Sequence, residues 1–72
     1  MLSQVFGKVL RSERIKINLS QEKLAELADL DRSYISLLER GLKQPSLATI
    51  FALSKALGIK PHQFIEEVEK MV

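Results

Sequence analysis

Apolar residues recur at helical spacing along most of this chain. Leu2, Val5, Phe6, Val9 and Leu10 follow the i, i+3, i+4, i+7, i+8 pattern of one helix face and predict a helix over 2–17. Asn18 closes it, and Leu19 is expected to pack inward before the next helix. Gly7 sits inside that first helix, where it costs up to about 1 kcal/mol relative to Ala. Close packing against another element would explain it. Ser20 is a good N-cap for a second helix running to about Ala28. Asp29-Leu30-Asp31 forms a tight turn, and a third helix starts behind Asp31 and stops at Gly41. After the loop 42–45, Ser46 can cap a fourth helix to about Leu57. Its expected inward stripe is Leu47, Ile50, Phe51, Ser54 and Leu57, with Leu53 adjacent. Gly58 ends it, and Pro61 opens a fifth helix over about 61–70 with Phe64, Ile65 and Val68 on one face. Met71 and Val72 continue that face. The expected fold is therefore all-α, a compact five-helix bundle in one domain spanning 1–72.

Residues 20–41 are the pair around which the rest is organised. Leu24, Leu27, Ala28, Leu30, Ile35 and Leu38 supply a shared apolar face, and Ala25 is small where two crossing helices approach. This is the pattern of a helix-turn-helix, whose second helix must be held rigidly and stand proud. At 100° per residue, Ile35 and Leu38 of that second helix point inward with Glu39 beside them. Ser33, Ser36, Leu37 and Arg40 fall opposite, flanked by Arg32 and Tyr34. This outer face carries hydroxyls, a guanidinium and a phenol but no acid. It suits the acceptors, donors and thymine methyls of a major groove. An ordinary solvated helix face is the alternative.

Composition narrows the picture. The chain is 46% hydrophobic, too apolar for a disordered tail. It has no cysteine, which removes disulfides and thiolate chemistry and fits a cytoplasmic setting. No apolar run approaches a membrane span, and no signal-peptide core follows Met1. Net charge is only +2, but its distribution is uneven. Within 32–60, Arg32, Arg40, Lys43, Lys55 and Lys60 stand against Glu39 alone. Within 61–72, Lys70 stands against Glu66, Glu67 and Glu69. A basic middle and an acidic end suggest that one surface meets a polyanion and the other faces away.

Nothing in the chain reads as an active site. The single histidine, His62, has no evident triad partners, and Gly7, Gly41 and Gly58 are too scattered for a phosphate-binding loop. Metal-ligand spacing is absent, and Glu66, Glu67 and Glu69 read as a solvated helix face. No catalytic residue, cofactor, metal or small-molecule effector is expected.

Three segments carry a family resemblance. They are Ser20-Gln21-x-x-Leu24-Ala25-x-x-Ala28, then Leu30 to Ser36 with Glu39-Arg40-Gly41, then Pro45-Ser46-Leu47-x-x-Ile50-x-x-Leu53-x-x-Ala56-Leu57-Gly58. Together they resemble the Cro/cI-type helix-turn-helix family, with its lambda repressor-like DNA-binding domain, over about residues 5–68. The string Leu30-Asp31-Arg32-Ser33-Tyr34-Ile35-Ser36 resembles the controller proteins of restriction–modification systems. The family often has Gly where this chain has Asp29; Asp tolerates a positive φ less well than Gly but better than most residues.

The resemblance implies a sequence-specific transcriptional regulator that binds a pseudo-palindromic operator in double-stranded DNA as a homodimer. It also implies an ion pair between Arg14, at the end of the first helix, and Glu39. Helix phase and resemblance together name Arg32, Ser33, Tyr34, Ser36 and Leu37 for base readout. Gln21, Arg40, Lys43, Gln44 and Ser46 are expected at phosphates. Leu53, Ile59, Phe64, Ile65 and Val68 are expected at the dimer interface, since apolar surface left on helix 5 would mark one. A small phage or plasmid repressor or an antitoxin would use the same motif. A protein-interaction module, whose motif helices dock a partner protein, is the alternative of another class.

Overall fold

Five helices and no strand make up the computed structural model, which describes all 72 residues. They are α1 (Leu2–Lys16), α2 (Gln21–Ala28), α3 (Arg32–Glu39), α4 (Leu47–Leu57) and α5 (Pro61–Glu69). The first four end in one way. A residue in the left-handed region follows each helix: Asn18 (φ 57°), Asp29 (φ 57°), Gly41 (φ 74°) and Gly58 (φ 75°). In each case two backbone N–H groups fold back onto the last turn, as when Leu30 N donates to Ala25 O (2.9 Å) and Leu42 N to Leu37 O (3.0 Å). Asp29 therefore fills a left-handed turn position with a side chain. Two starts are capped by serine: Ser20 Oγ accepts from Lys23 N (2.9 Å) and Ser46 Oγ from Thr49 N (3.1 Å). Asp31 precedes α3 in the extended N-cap conformation, but its side chain makes no capping bond.

α1 packs on α3 and α5, α2 on α3 and α4, and α4 on α5. Their shared core is Phe6, Val9 and Leu10 from α1, Leu24, Ala25 and Ala28 from α2, Ile35 and Leu38 from α3, Leu53 and Leu57 from α4, and Phe64 and Val68 from α5. Each large side chain there contributes about 1.5–3 kcal/mol by leaving water. The Phe6 and Phe64 rings, 5.0 Å apart, close α5 onto α1.

Gly7 explains how α1 reaches α3. A Cβ there would collide with the Leu38 carbonyl oxygen and lie 2.7 Å from the Glu39 carbonyl oxygen. Both are backbone atoms that cannot swing aside. The glycine lets two helix backbones touch.

Several inward assignments change. Leu47 and Phe51 of α4 are exposed, while Leu53 is fully buried. α4 is apolar on almost every side, so periodicity does not choose its inner face; the positions of α2 and α5 do. Ser54 is buried as expected, with no hydrogen-bond partner for its hydroxyl. Leu2 and Leu27 are also exposed. Leu53, Phe64 and Val68, expected at a dimer interface, complete the core of one copy: Leu53 and Phe64 have no free surface to offer a second, and Val68 has 5%. The reason is that α5 spends its apolar stripe on α1 and α4.

Candidate nucleic-acid interface

α3 has two unlike faces. Ile35 and Leu38 are fully buried beneath it. Arg32 and Ser33 are exposed on its first turn, and Tyr34, Ser36 and Leu37 are half-buried. Tyr34 packs partly against the core. The outward surface thus begins with a guanidinium and a hydroxyl and carries no carboxylate, because Glu39 is turned inward.

Glu39 is held by an ion pair. Arg14 Nε donates to Glu39 Oε2 at 2.6 Å and Arg14 Nη2 to Glu39 Oε1 at 2.9 Å. The side chains are only 12% and 4% exposed. Arg14 Nη1 also donates to the Leu19 carbonyl at 2.7 Å, so one guanidinium ties α1, the α1–α2 connection and α3 together. The bond from Glu39 raises the Arg14 pKa further, against burial that lowers it. The planar fork matches the carboxylate geometry, which makes this seam directional as well as attractive.

Two bonds extend the pair outward. Gln21 Nε2 donates to Glu39 Oε1 at 3.0 Å, and Arg32 Nη1 donates to Gln21 Oε1 at 3.2 Å. Neither bond is legible in the sequence, because residues 18 and 11 positions apart are joined. The available signal was placement: Gln21 opens α2, Arg32 opens α3, and a turn of three residues brings the two helices together.

The residues expected at phosphates lie in two places. Gln21 is half-buried at the start of α2. Arg40, Lys43, Gln44 and Ser46 are exposed between the end of α3 and the start of α4. Ser46 is already engaged, capping α4 and bonding Thr49 Oγ1 at 3.0 Å. The free backbone N–H groups of the first turn of α4 lie beside Lys43 and Gln44 in the chain, a donor set suited to an anion.

A helix-turn-helix family model matches residues 10–64. The control protein C.BamHI of Bacillus amyloliquefaciens is 48% identical over 63 residues, which span 86% of this chain and 78% of that one. The chain belongs to the helix-turn-helix family of controller proteins. Among solved structures, the restriction–modification controller protein C.AhdI from Aeromonas hydrophila superposes with a TM-score of 0.84 at 45% identity, covering 86% of this chain and 94% of that one. The controller protein C.Esp1396I, as a tetramer in complex with its natural 35 base-pair operator, superposes with a TM-score of 0.90 at 28% identity, covering 97% and 92%. This controller protein is a DNA-binding transcriptional regulator with an all-α helix-turn-helix fold. None of its helices is long and apolar enough to cross a membrane.

Proposed function

We propose that this controller protein regulates restriction–modification genes by binding a pseudo-palindromic operator as a homodimer, in the cytoplasm and without catalysis, cofactor or effector. The observation that carries the reading is the outer face of α3. Its cation and hydroxyls point outward while its only carboxylate is folded back onto Arg14. Arg32, Ser33, Ser36 and Leu37 meet base edges, with Tyr34 at the margin. Gln21, Arg40, Lys43 and Gln44 hold phosphates, joined by Ser46 through the start of α4.

The dimer face lies elsewhere. Leu47, Phe51 and Ile65 are exposed, and Ile59 is half-buried. Ile50 and Ile65 line an apolar hollow of about 140 Å³ with Leu2, Phe6 and Pro45. A second copy seated on this surface would present a second α3 to the same duplex about one turn, roughly 34 Å, away.

The test is binding to duplexes drawn from the DNA upstream of the gene and to random duplexes of equal length. Arg32→Ala should cost about 1–3 kcal/mol on the preferred duplex and much less on random DNA. Lys43→Ala should weaken both alike and flatten the salt dependence by about one unit. No binding to either would favour a protein-interaction module. A neighbouring endonuclease and methyltransferase gene pair separates a controller from a phage repressor or an antitoxin.

A further inference from the structure

Two leucines sit at the end of the outer surface of α3. Leu37 is half-buried on the helix itself, and Leu42, just beyond it, is 62% exposed. The helix ending joins them. Leu42 N donates to Leu37 O at 3.0 Å and Gly41 N to Leu38 O at 3.1 Å, with Gly41 in the left-handed region at φ 74°. Endings with this pair of bonds commonly carry an apolar contact between the residues in the places of Leu37 and Leu42. The turn is braced from behind. A Cβ on Gly41 would lie 3.0 Å from the Gln4 Cα, so the chain here runs directly against the first turn of α1. Leu42 is therefore held out on a fixed support.

We propose that Leu37 and Leu42 together form an apolar seat for the C5 methyl group of a pyrimidine in the major groove, that of thymine or of 5-methylcytosine. This rests on the DNA-reading function proposed above and deepens it, by naming a chemical group that is read and a second residue that reads it.

The charges around the pair favour DNA as its partner. Arg40 and Lys43 flank it along the chain, both exposed, and no carboxylate stands on the outer face of α3. A second copy bringing the same patch would set these cations against their own kind, whereas a polyanion is drawn to them. Within a duplex, leucine has few partners. Its side chain neither donates nor accepts a hydrogen bond, so base nitrogens, base oxygens and phosphates gain nothing from it. The C5 methyl is the apolar group that the major groove presents. The C–H surface of deoxyribose is the other apolar part of DNA, and it carries no sequence.

The two bases share one chemistry. Thymine differs from uracil by this methyl alone, and 5-methylcytosine differs from cytosine by the same group. Covering one methyl group strengthens binding about fourfold. A site with a cytosine against the leucine pair is therefore occupied more fully after methylation at C5 than before it. Methylation state becomes something the protein reads through apolar contact alone.

The test uses the full chain. Selection from randomised duplexes first gives the preferred sequence. Each thymine in it is then replaced singly by deoxyuridine and, paired with guanine, by cytosine and by 5-methylcytosine. Affinities are measured for the wild type, Leu37→Ala and Leu42→Ala. For the wild type, at least one thymine in each half-site should bind about fourfold better than its deoxyuridine counterpart. At that place 5-methylcytosine should exceed cytosine by a similar factor. Both ratios should fall toward one in each variant. Each ratio compares two duplexes on the same protein, so a variant that folds less well leaves it unchanged.

Thymines that can all be replaced by deoxyuridine without loss would overturn the proposal and assign the leucines to sugar or to a partner, while sequence preference itself stood. So would ratios that persist in Leu42→Ala, which would leave Leu37 or another residue as the reader. A deoxyuridine effect with no 5-methylcytosine effect would trace the loss to the duplex and also overturn the proposal. A wild type that enriches no sequence would overturn DNA reading and this proposal together.

Discussion

The seam behind α3 and the outer surface of α4 and α5 are built on opposite plans. Behind α3, helix backbones touch at Gly7, a guanidinium and a carboxylate meet edge to edge, and an amide continues the line. These contacts are directional, and small displacements break them. On the other side, Leu47, Phe51 and Ile65 stand 71%, 56% and 44% exposed, with no polar partner to set their direction. Apolar contact rewards area and tolerates adjustment. The difference follows from what each surface must meet. Hydrogen bonds to base edges fail when donors are displaced by fractions of an ångström, so the helix that makes them needs a rigid backing. A surface proposed to meet its own copy can settle into place.

Breaking the directional seam should have the largest effect. Glu39→Ala leaves Arg14 charged and nearly buried without its partner, and should cost about 3–5 kcal/mol. A domain of this size has roughly 5 kcal/mol to lose, so urea titration should find the variant with at most about 2 kcal/mol of stability left and a midpoint far below the wild type's. Arg14→Met with Glu39→Leu, which removes both charges, should recover most of that stability. Single and double variants that lose equally would show that the charges do not depend on one another.

Gly7→Ala comes next. Helix propensity would favour Ala by up to about 1 kcal/mol. The collision with two backbone carbonyls opposes it, and overpacking against atoms that cannot move costs about 1–3 kcal/mol. The clash should win, giving a melting temperature lower by several degrees. An unchanged or higher value would mean that α1 and α3 can part without penalty.

Ile65→Glu probes the other plan. The side chain is half exposed, so the fold of one copy should survive, which circular dichroism can check. Sedimentation equilibrium at micromolar concentration should find the wild type dimeric and the variant at least tenfold weaker in self-association. A wild type that remains monomeric there would remove the dimer face from the proposed function.

The smallest expected effect is at the turn between α2 and α3. Asp29→Gly relieves a side chain held at φ 57° but gives the unfolded chain more freedom. The balance should be a gain of about 0.5 kcal/mol, read as a slight rise in the urea midpoint. A loss would show that the Asp29 side chain contributes more than its backbone strain costs.

Helix positions and the outward phase of α3 were legible in the chain, because caps, stops and periodicity are local signals. Ser20 and Ser46 mark helix starts by their own hydroxyls, and Gly41 and Gly58 mark stops by their own φ. Facing across helices was not legible. α4 offers apolar residues on nearly every side, so only its neighbours decide that Leu53 turns inward and Phe51 outward. Phe64 reads as interface or core with equal ease until Phe6 is seen 5.0 Å from it. The Gly7 partner and the Gln21 bonds depend on tertiary placement that no local pattern encodes.

The brevity of α3 sets a limit on information. Eight residues at 1.5 Å each make a rod of about 12 Å. Base pairs are stacked about 3.4 Å apart, so such a rod lies against only about four of them. A fully specified run of four base pairs recurs by chance about once in every 256 positions. A genome offers upward of about a million positions, so one copy of this protein would find thousands of matching addresses. Two copies on one duplex multiply their selectivities, and four multiply them again. A regulator this small can single out one promoter only by counting several readings of the DNA as one event.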